Sequence, residues 1–327
     1  VVALALIAAA PLVGCPSESE PRWRVVLDGL DEGLLSVWGT SATDVWAVGG
    51  DRGRGAGPLA LHFDGNSWER LPTGASGDLW WVHGFAGGPV FMGGEDGMIL
   101  RYQDGAFERM TTPSGGAIVF GIWGTSPTNV WAVGGIGRSG GFVWRFDGTA
   151  WAQVPLPAGV DGRALFKVWG TRADDVWVCG IDGILLHWDG SALVRVDSGT
   201  TRTLFTVHTV EGAAAAVGGV GSAVLVERVA DSTWHDVAPE LAPQLFGVWL
   251  TPEGGHAVGI SGTVLRRSAG RWEVLDTGLS LAETLHSVWV DPDGGVWAAG
   301  GQVLSEPLVD GVLIYGGRAH IPSTIGP

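Results

Sequence analysis

Lysine is almost missing from this chain of 327 residues: Lys167 is the only one. Basic residues number 19 against 34 acidic ones, a net charge of −15. Binding to nucleic acid or to anionic lipid by charge needs a basic face, so neither is expected as a partner, and the acidity serves solubility. Tyrosine is equally scarce, with Tyr102 and Tyr315 alone, and cysteine is limited to Cys15 and Cys179. A bridge between those two would tie an N-terminal tail to the interior of a strand, so Cys179 reads as a buried free thiol. No apolar stretch is both long enough and spaced for a helix. That excludes helical folds and leaves short β-strands.

What fills the sequence instead is repetition. The stretch Leu34 to Gly50, LLSVWGTSATDVWAVGG, returns in imperfect copies whose anchor residues are Trp38, His83, Trp123, Trp169, His208, Trp249 and Trp289. The step is about 40 residues, a period that marks a repeat architecture. Each copy holds short runs rich in Val, Trp, Phe and Leu, separated by Gly, Asp, Asn and Pro. In the first copy the strands are expected at Leu34 to Gly39, Asp44 to Gly49, Leu59 to Asp64 and Ser67 to Leu71, here named a to d. Four short strands per unit of this length specify a propeller blade. The expected fold is all-β, a seven-bladed β-propeller of four-stranded blades.

The two ends supply one shared blade. The seventh copy offers strands at His286 to Val290, Gly295 to Gly300 and Val312 to Tyr315 but no strand d, whereas Trp23 to Gly29 resembles the strand d segment Trp272 to Gly278. The N-terminal strand is therefore expected to complete blade seven, which leaves no free edge between first and last blades. The propeller then occupies residues 23–317, followed by a tail over 318–327.

Residues 1–14 are apolar, uncharged, interrupted by Pro11 and too short to span a bilayer as a helix. They read as the h-region of a signal segment whose start precedes Val1. Leu12-Val13-Gly14-Cys15 resembles the lipobox of bacterial lipoproteins, which implies lipid attachment at Cys15 and a short tether over 16–22. The implied location is the bacterial cell envelope, on the outer membrane or cell surface rather than the inner membrane.

The turns between strands c and d, Phe63-Asp64-Gly65-Asn66-Ser67-Trp68, Phe146-Asp147-Gly148-Thr149-Ala150-Trp151 and Trp188-Asp189-Gly190-Ser191, suit tight hairpins, because Gly accepts positive φ and Asp bonds the turn backbone. Gly-Gly ending strand b, an aromatic-Asp pair and a following Trp resemble kelch repeats, and Asp-Gly-x-x-Trp is similar to a shortened Asp-box of BNR propellers. Both families include enzymes. Sialidases use a Tyr nucleophile with a Glu and three Arg, and kelch-like copper oxidases use Tyr and His ligands with a Tyr-Cys crosslink; neither set is visible around Tyr102, Tyr315 or Cys179. No catalytic residue, cofactor or metal ligand is assigned. The strand b tryptophans Trp46, Trp131, Trp177 and Trp297 are read as filling the wedges between blades. His83, His208 and His256 replace repeat tryptophans and are expected to be half-buried, each with one satisfied nitrogen. Asp291-Pro292-Asp293-Gly294-Gly295 has the order of a calcium loop without its later Glu, and it falls where a turn needs Asp and Gly in any case.

Two functions from different classes remain. The first is an acylated, exported monomer that binds a protein or polysaccharide without chemistry; the second is a carbohydrate-active hydrolase or lyase with acidic residues at the propeller mouth, which needs two carboxylates facing each other at about 5 to 9 Å. The first is preferred. The a–b and c–d turns repeat their sequence, whereas the b–c and d–a connections vary, as at Gly50 to Gly57, Gly135 to Gly141, Pro155 to Arg163 and Gln302 to Asp310. Antiparallel strands send those variable connections to one face. The residues expected to bind there are Asp51, Arg52, Arg54, Glu95, Asp96, Arg138, Asp161 and Arg163, with Lys167 where strand a enters the mouth.

Overall fold

The computed structural model describes residues 22–326 apart from 114–115, 161 and 231–232. Cys15 and Asp161 thus lie outside the described residues, as does the segment read as a signal. Seven four-stranded antiparallel sheets follow one another around a ring, so the protein is an all-β, seven-bladed propeller. Strand a of each blade contacts strand a of the next, and strand a of blade seven (Thr284–Val290) contacts strand a of blade one (Leu34–Ser41). Those innermost strands surround the axis.

Blade seven closes as expected. Its strand c, Val309–Gly317, pairs with the N-terminal strand Arg22–Leu30, in a register running from Arg22 opposite Gly317 to Leu30 opposite Gly311. The stretch after it is no free tail. Ile321 is buried, Gly326 N–H donates to Trp68 O at 2.7 Å, and Ile325 bridges to Trp68, so the described residues up to 326 end along blade one.

Every strand a carries a β-bulge at the same place. In blade one Leu34 pairs with Gly49 and Ser36 with Val48, which leaves Leu35 extra; the same slip leaves out Trp80, Phe120, Phe166, Phe205, Phe246 and His286. A bulge re-aims the residue it leaves unpaired.

The strand b tryptophans do fill the wedges. Trp46 meets Tyr102 of blade two at 5.1 Å, Trp131 meets Trp188 of blade four at 5.2 Å, Trp177 meets Trp234 of blade five at 5.4 Å, and Trp297 meets Trp68 of blade one at 6.2 Å. A polar cluster fixes two of them. Asp175 accepts from the Trp177 indole at 3.0 Å, from the Thr171 hydroxyl, and faces His187 Nε2 at 2.8 Å; those bonds, the one to His187 foremost, hold its carboxyl down at about 2. Asp44 makes the corresponding contacts with Trp46, Thr40 and His62. Asp291 is buried and accepts from the Gly295 and Asp293 N–H groups and from the Trp297 indole at 2.9 Å. Its carboxylate is used by the turn and the wedge. Cys179 is buried and free, and burial pushes its thiol up to about 12.

An aromatic mouth on the variable face

The seven bulges build the site. The residues they re-aim stand where strand a begins, and six of the seven are aromatic or histidine. Their rings form a closed circuit: Trp80 to Phe120 at 5.1 Å, Phe120 to Phe166 at 5.4 Å, Phe166 to Phe205 at 5.6 Å, Phe205 to Phe246 at 5.1 Å, Phe246 to His286 at 5.6 Å, and His286 back to Trp80 at 6.1 Å. Leu35, the seventh, is fully buried behind the last gap, where its carbonyl accepts from His286 Nδ1–H at 2.6 Å. Burial above all, helped by the nearby Lys167 and against that bond, pushes the ring's pKa down to about 4. Trp80, Phe166, Phe205 and His286 remain partly exposed. The circuit surrounds a cavity of about 250 Å³, to which Val303 and the exposed Leu304 of blade seven add an apolar lip.

The floor is closed by the anchor residues three positions further along each strand. Trp169 reaches His83 at 5.7 Å, His208 at 4.6 Å and Trp249 at 4.8 Å. The channel is therefore blind, open at the circuit and plugged at the other end. His83 and His208 are buried rather than half-buried, because the plug surrounds them on all sides; burial pushes them down to about 4 and about 3. His208 Nδ1 accepts from Leu250 N–H at 3.1 Å, and its Nε2 has no partner.

The mouth opens on the variable face. Strand a begins where the d–a connection arrives, and backbone bonds tie that connection to the b–c loop of the same blade: Gly50 N–H to Gly33 O, Glu95 N–H to Asp78 O, Ile181 N–H to Ala164 O, and Ile260 N–H to Gln244 O. The variable loops thus form its rim, as the alternation of antiparallel connections requires.

The expected binding residues fall into two groups around that rim. Asp51 and Glu95 gather with Asp78 and Glu306, two acids the sequence reading passed over. Asp51 N–H donates to Asp78 Oδ1 at 2.6 Å, and Asp78 N–H donates to Glu95 Oε2 at 3.3 Å. Burial, reinforced by the like charges of Glu306 and Asp51, pushes Asp78 up to about 6. Arg52 and Arg54 turn outward to Asp31, through its carbonyl at 2.9 Å and its carboxylate at 3.7 Å, and Asp96 pairs with Arg109 at 3.6 Å. Across the ring, Arg138 and Arg163 clasp Asp182 at 3.2 and 3.1 Å. Lys167, expected where strand a enters the mouth, lines the cavity there but is buried rather than solvated. It is 4% exposed and lies one position beyond the circuit, where its Nζ donates to Phe120 O at 3.0 Å and sits 3.2 Å from the centroid of Trp81.

The facing carboxylates needed by the hydrolase reading are not among the residues that line the mouth. Among the described residues no group of three or more His, Cys, Asp or Glu is placed to hold a metal ion, and no helix is long and apolar enough to cross a membrane. A larger cleft, about 640 Å³, lies on the outer wall between blades three and four around Pro155, Leu156 and Trp188, but it draws on two blades only.

Neither a protein-family model nor a curated protein matches the chain. Solved structures do, at low identity. YCF48 from Cyanidioschyzon merolae is 15% identical with a TM-score of 0.68, over 90% of this chain and 98% of that one. YCF48 bound to D1 peptide gives 14% and 0.69, over 92% and 100%. The WD40 propeller domain of Doa1 gives 14% and 0.70, over 93% and 100%. The similarity is one of fold.

Proposed function

We propose that the protein is a non-enzymatic binding module, a monomer held at the bacterial cell envelope through lipid on Cys15, that captures a protein partner at its aromatic mouth. One observation carries this reading: six bulged positions from six blades converge as a circuit of rings on the variable face, four of them partly exposed around a cavity. A propeller spends ring residues on its wedges for stability; rings left open around a blind cavity serve recognition, since aromatic anchors in pockets dominate protein binding. One propeller of similar fold, YCF48, is known in a structure bound to D1 peptide, which favours a protein partner over a polysaccharide.

The test is capture from the native envelope. Full-length protein should retain a partner that protease treatment removes, and Phe205→Ala with Phe246→Ala should release it, while Asn66→Ala and Ser191→Ala in the Asp-Gly turns leave it bound. Capture lost through the turns and kept by the mouth variant would assign binding to the opposite face. A partner that resists protease but yields to glycosidases would make it a polysaccharide.

The same reading sets an orientation. Arg22 opposite Gly317 starts the closing strand at the c–d turn face, and the residues between Cys15 and that strand extend to at most about 20 Å. The mouth then faces away from the lipid. In acylated protein on vesicles, with Cys179 replaced, a lipid-borne quencher should reach a label at Thr149 before one at Arg138; the reverse order would contradict the tethering.

A further inference from the structure

Lys167 is the chain's only lysine and it is buried without a carboxylate partner among the described residues. An ammonium has three N–H donors. Here one hydrogen bond, to Phe120 O, and one ring, Trp81, serve all three. The nearby thiol of Cys179 supplies no counter-charge, because burial keeps it protonated. Desolvation accordingly draws the amine's pKa well below that of a free lysine. A buried amine short of hydrogen-bond partners is costly to a fold in either protonation state, and packing alone would be served by Met or Leu. Its neighbours make room for it: an added Cβ at Gly121 would lie 3.1 Å from Lys167 Cα.

The amine belongs to the mouth. Lys167 is among the residues that line the cavity, and its charge acts on His286, three blades away. Of the other polar side chains in that lining, Thr206 donates its hydroxyl proton to Phe246 O at 2.6 Å and His286 donates Nδ1–H to Leu35 O. A second donor in the same wall has no acceptor, the indole N–H of Trp80, whose ring meets that of Phe120 edge-on. Two donors short of acceptors thus adjoin Phe120, at the base of an otherwise apolar cavity, and buried donors of this kind call for an explanation.

We propose that the mouth receives a carboxylate carried on a compact apolar body, with the body ringed by Trp80, Phe120, Phe166, Phe205 and Phe246 and the carboxylate accepting from Lys167 Nζ. The cavity volume of about 250 Å³ falls below the ~300–1,000 Å³ that drug-sized ligands occupy. It fits one aromatic ring or one branched aliphatic group with its acid. A free organic acid and the last residue of a partner's chain share this chemistry. In either case the acids beside Trp80, namely Asp51, Asp78, Glu95 and Glu306, disfavour further negative charge on whatever trails out of the mouth.

This inference rests on the mouth as the binding centre, and calorimetry of the full chain separates the two ideas. The probes are 3-phenylpropionate, the neutral 3-phenylpropanol, and a short glycine peptide ending in phenylalanine, as free acid and as amide. Wild type should bind the acid at least tenfold more tightly than the alcohol, and Lys167→Met should lose that preference while keeping the alcohol. Equal binding of acid and alcohol by wild type, or an undiminished preference in Lys167→Met, would overturn the proposal. Should Lys167→Met fail to fold, the wild-type comparison stands alone, supported by the NMR signal of the single lysine after reductive ¹³C-methylation, which the acid should shift and the alcohol should not. Tighter binding of the peptide acid than of phenylpropionate would identify a chain terminus as the source, and the reverse a free acid. Alcohol binding that disappears in Phe205→Ala with Phe246→Ala, without any acid preference, would leave the mouth as binding centre and remove the carboxylate.

Discussion

Gly170 shows what single residues contribute to the ring. It follows the anchor Trp169, and an added Cβ there would lie 2.7 Å from Trp123 Cη2, the anchor of the preceding blade; Gly39 stands in the same relation to Trp289. Whereas Gly124 lies against Phe85, at these two positions the glycine after the anchor is a packing device that admits the preceding blade's indole into the plug. Gly170→Ala should overpack it and cost about 1–3 kcal/mol, seen as a lower denaturant midpoint with an unchanged slope. An unaltered midpoint would mean the plug yields freely. Four histidines packed into the ring make a second residue-scale prediction. His83, His208, His256 and His286 all have folded pKa values near 3 to 4, below the usual 6.5, because burial disfavours the charged ring. The unfolded chain then binds more protons below pH 6.5, so stability is full above that pH and falls as pH drops toward 4. Asp78, raised to about 6 by burial, and Glu95, also raised by burial, work in the opposite sense over part of the range. His83→Phe should keep the melting temperature at pH 7 and lessen its fall between pH 7 and 5; an unchanged fall would remove His83 from the account.

At the scale of the strand, much of the architecture was legible and one feature was not. Strand b of blade one runs Asp44–Gly49 as expected, and the closing strand differs from its expected start by one residue, Arg22. Those readings rest on alternation and on turn residues, which the sequence displays directly. The circuit of rings was missed because alternation says nothing of a bulge: Trp80, Phe120, Phe166, Phe205, Phe246 and His286 sit three places before the anchor, a column of aromatics visible in the aligned copies but given no role of its own. Lys167 was placed at the mouth by its position on strand a, but its burial was not legible, since the crossing over Gly121 is a contact between blades that no single copy reveals. Two predictions belong here. Removing residues 22–28 should expose the edge of Val309–Gly317 and produce aggregation or a large loss of stability, whereas an unchanged melting temperature would mean the ring closes without them. Asp175→Ala should cost about 1–3 kcal/mol, because the Trp177 indole and Thr171 lose a shared acceptor in a wedge; a neutral result would assign that wedge to ring packing alone.

For the whole molecule, the fold sorts its aromatic residues into three uses: wedges that hold blades together, a plug that closes the axis, and a circuit left open at one face. The first two explain stability and need no partner. The third is where a ligand would enter, and the b–c loops that vary in sequence form its rim while the repeated Asp-Gly turns lie at the opposite end. The claim that the mouth is the binding centre can be put to one direct measurement: photo-crosslinking in native envelopes with a benzophenone side chain placed at Leu304, on the lip of the mouth, or at Thr149, on the turn face. Leu304 should give a discrete adduct that Phe205→Ala with Phe246→Ala abolishes, and Thr149 should give none. An adduct at Thr149 alone, or one at Leu304 indifferent to the loss of both rings, would contradict it.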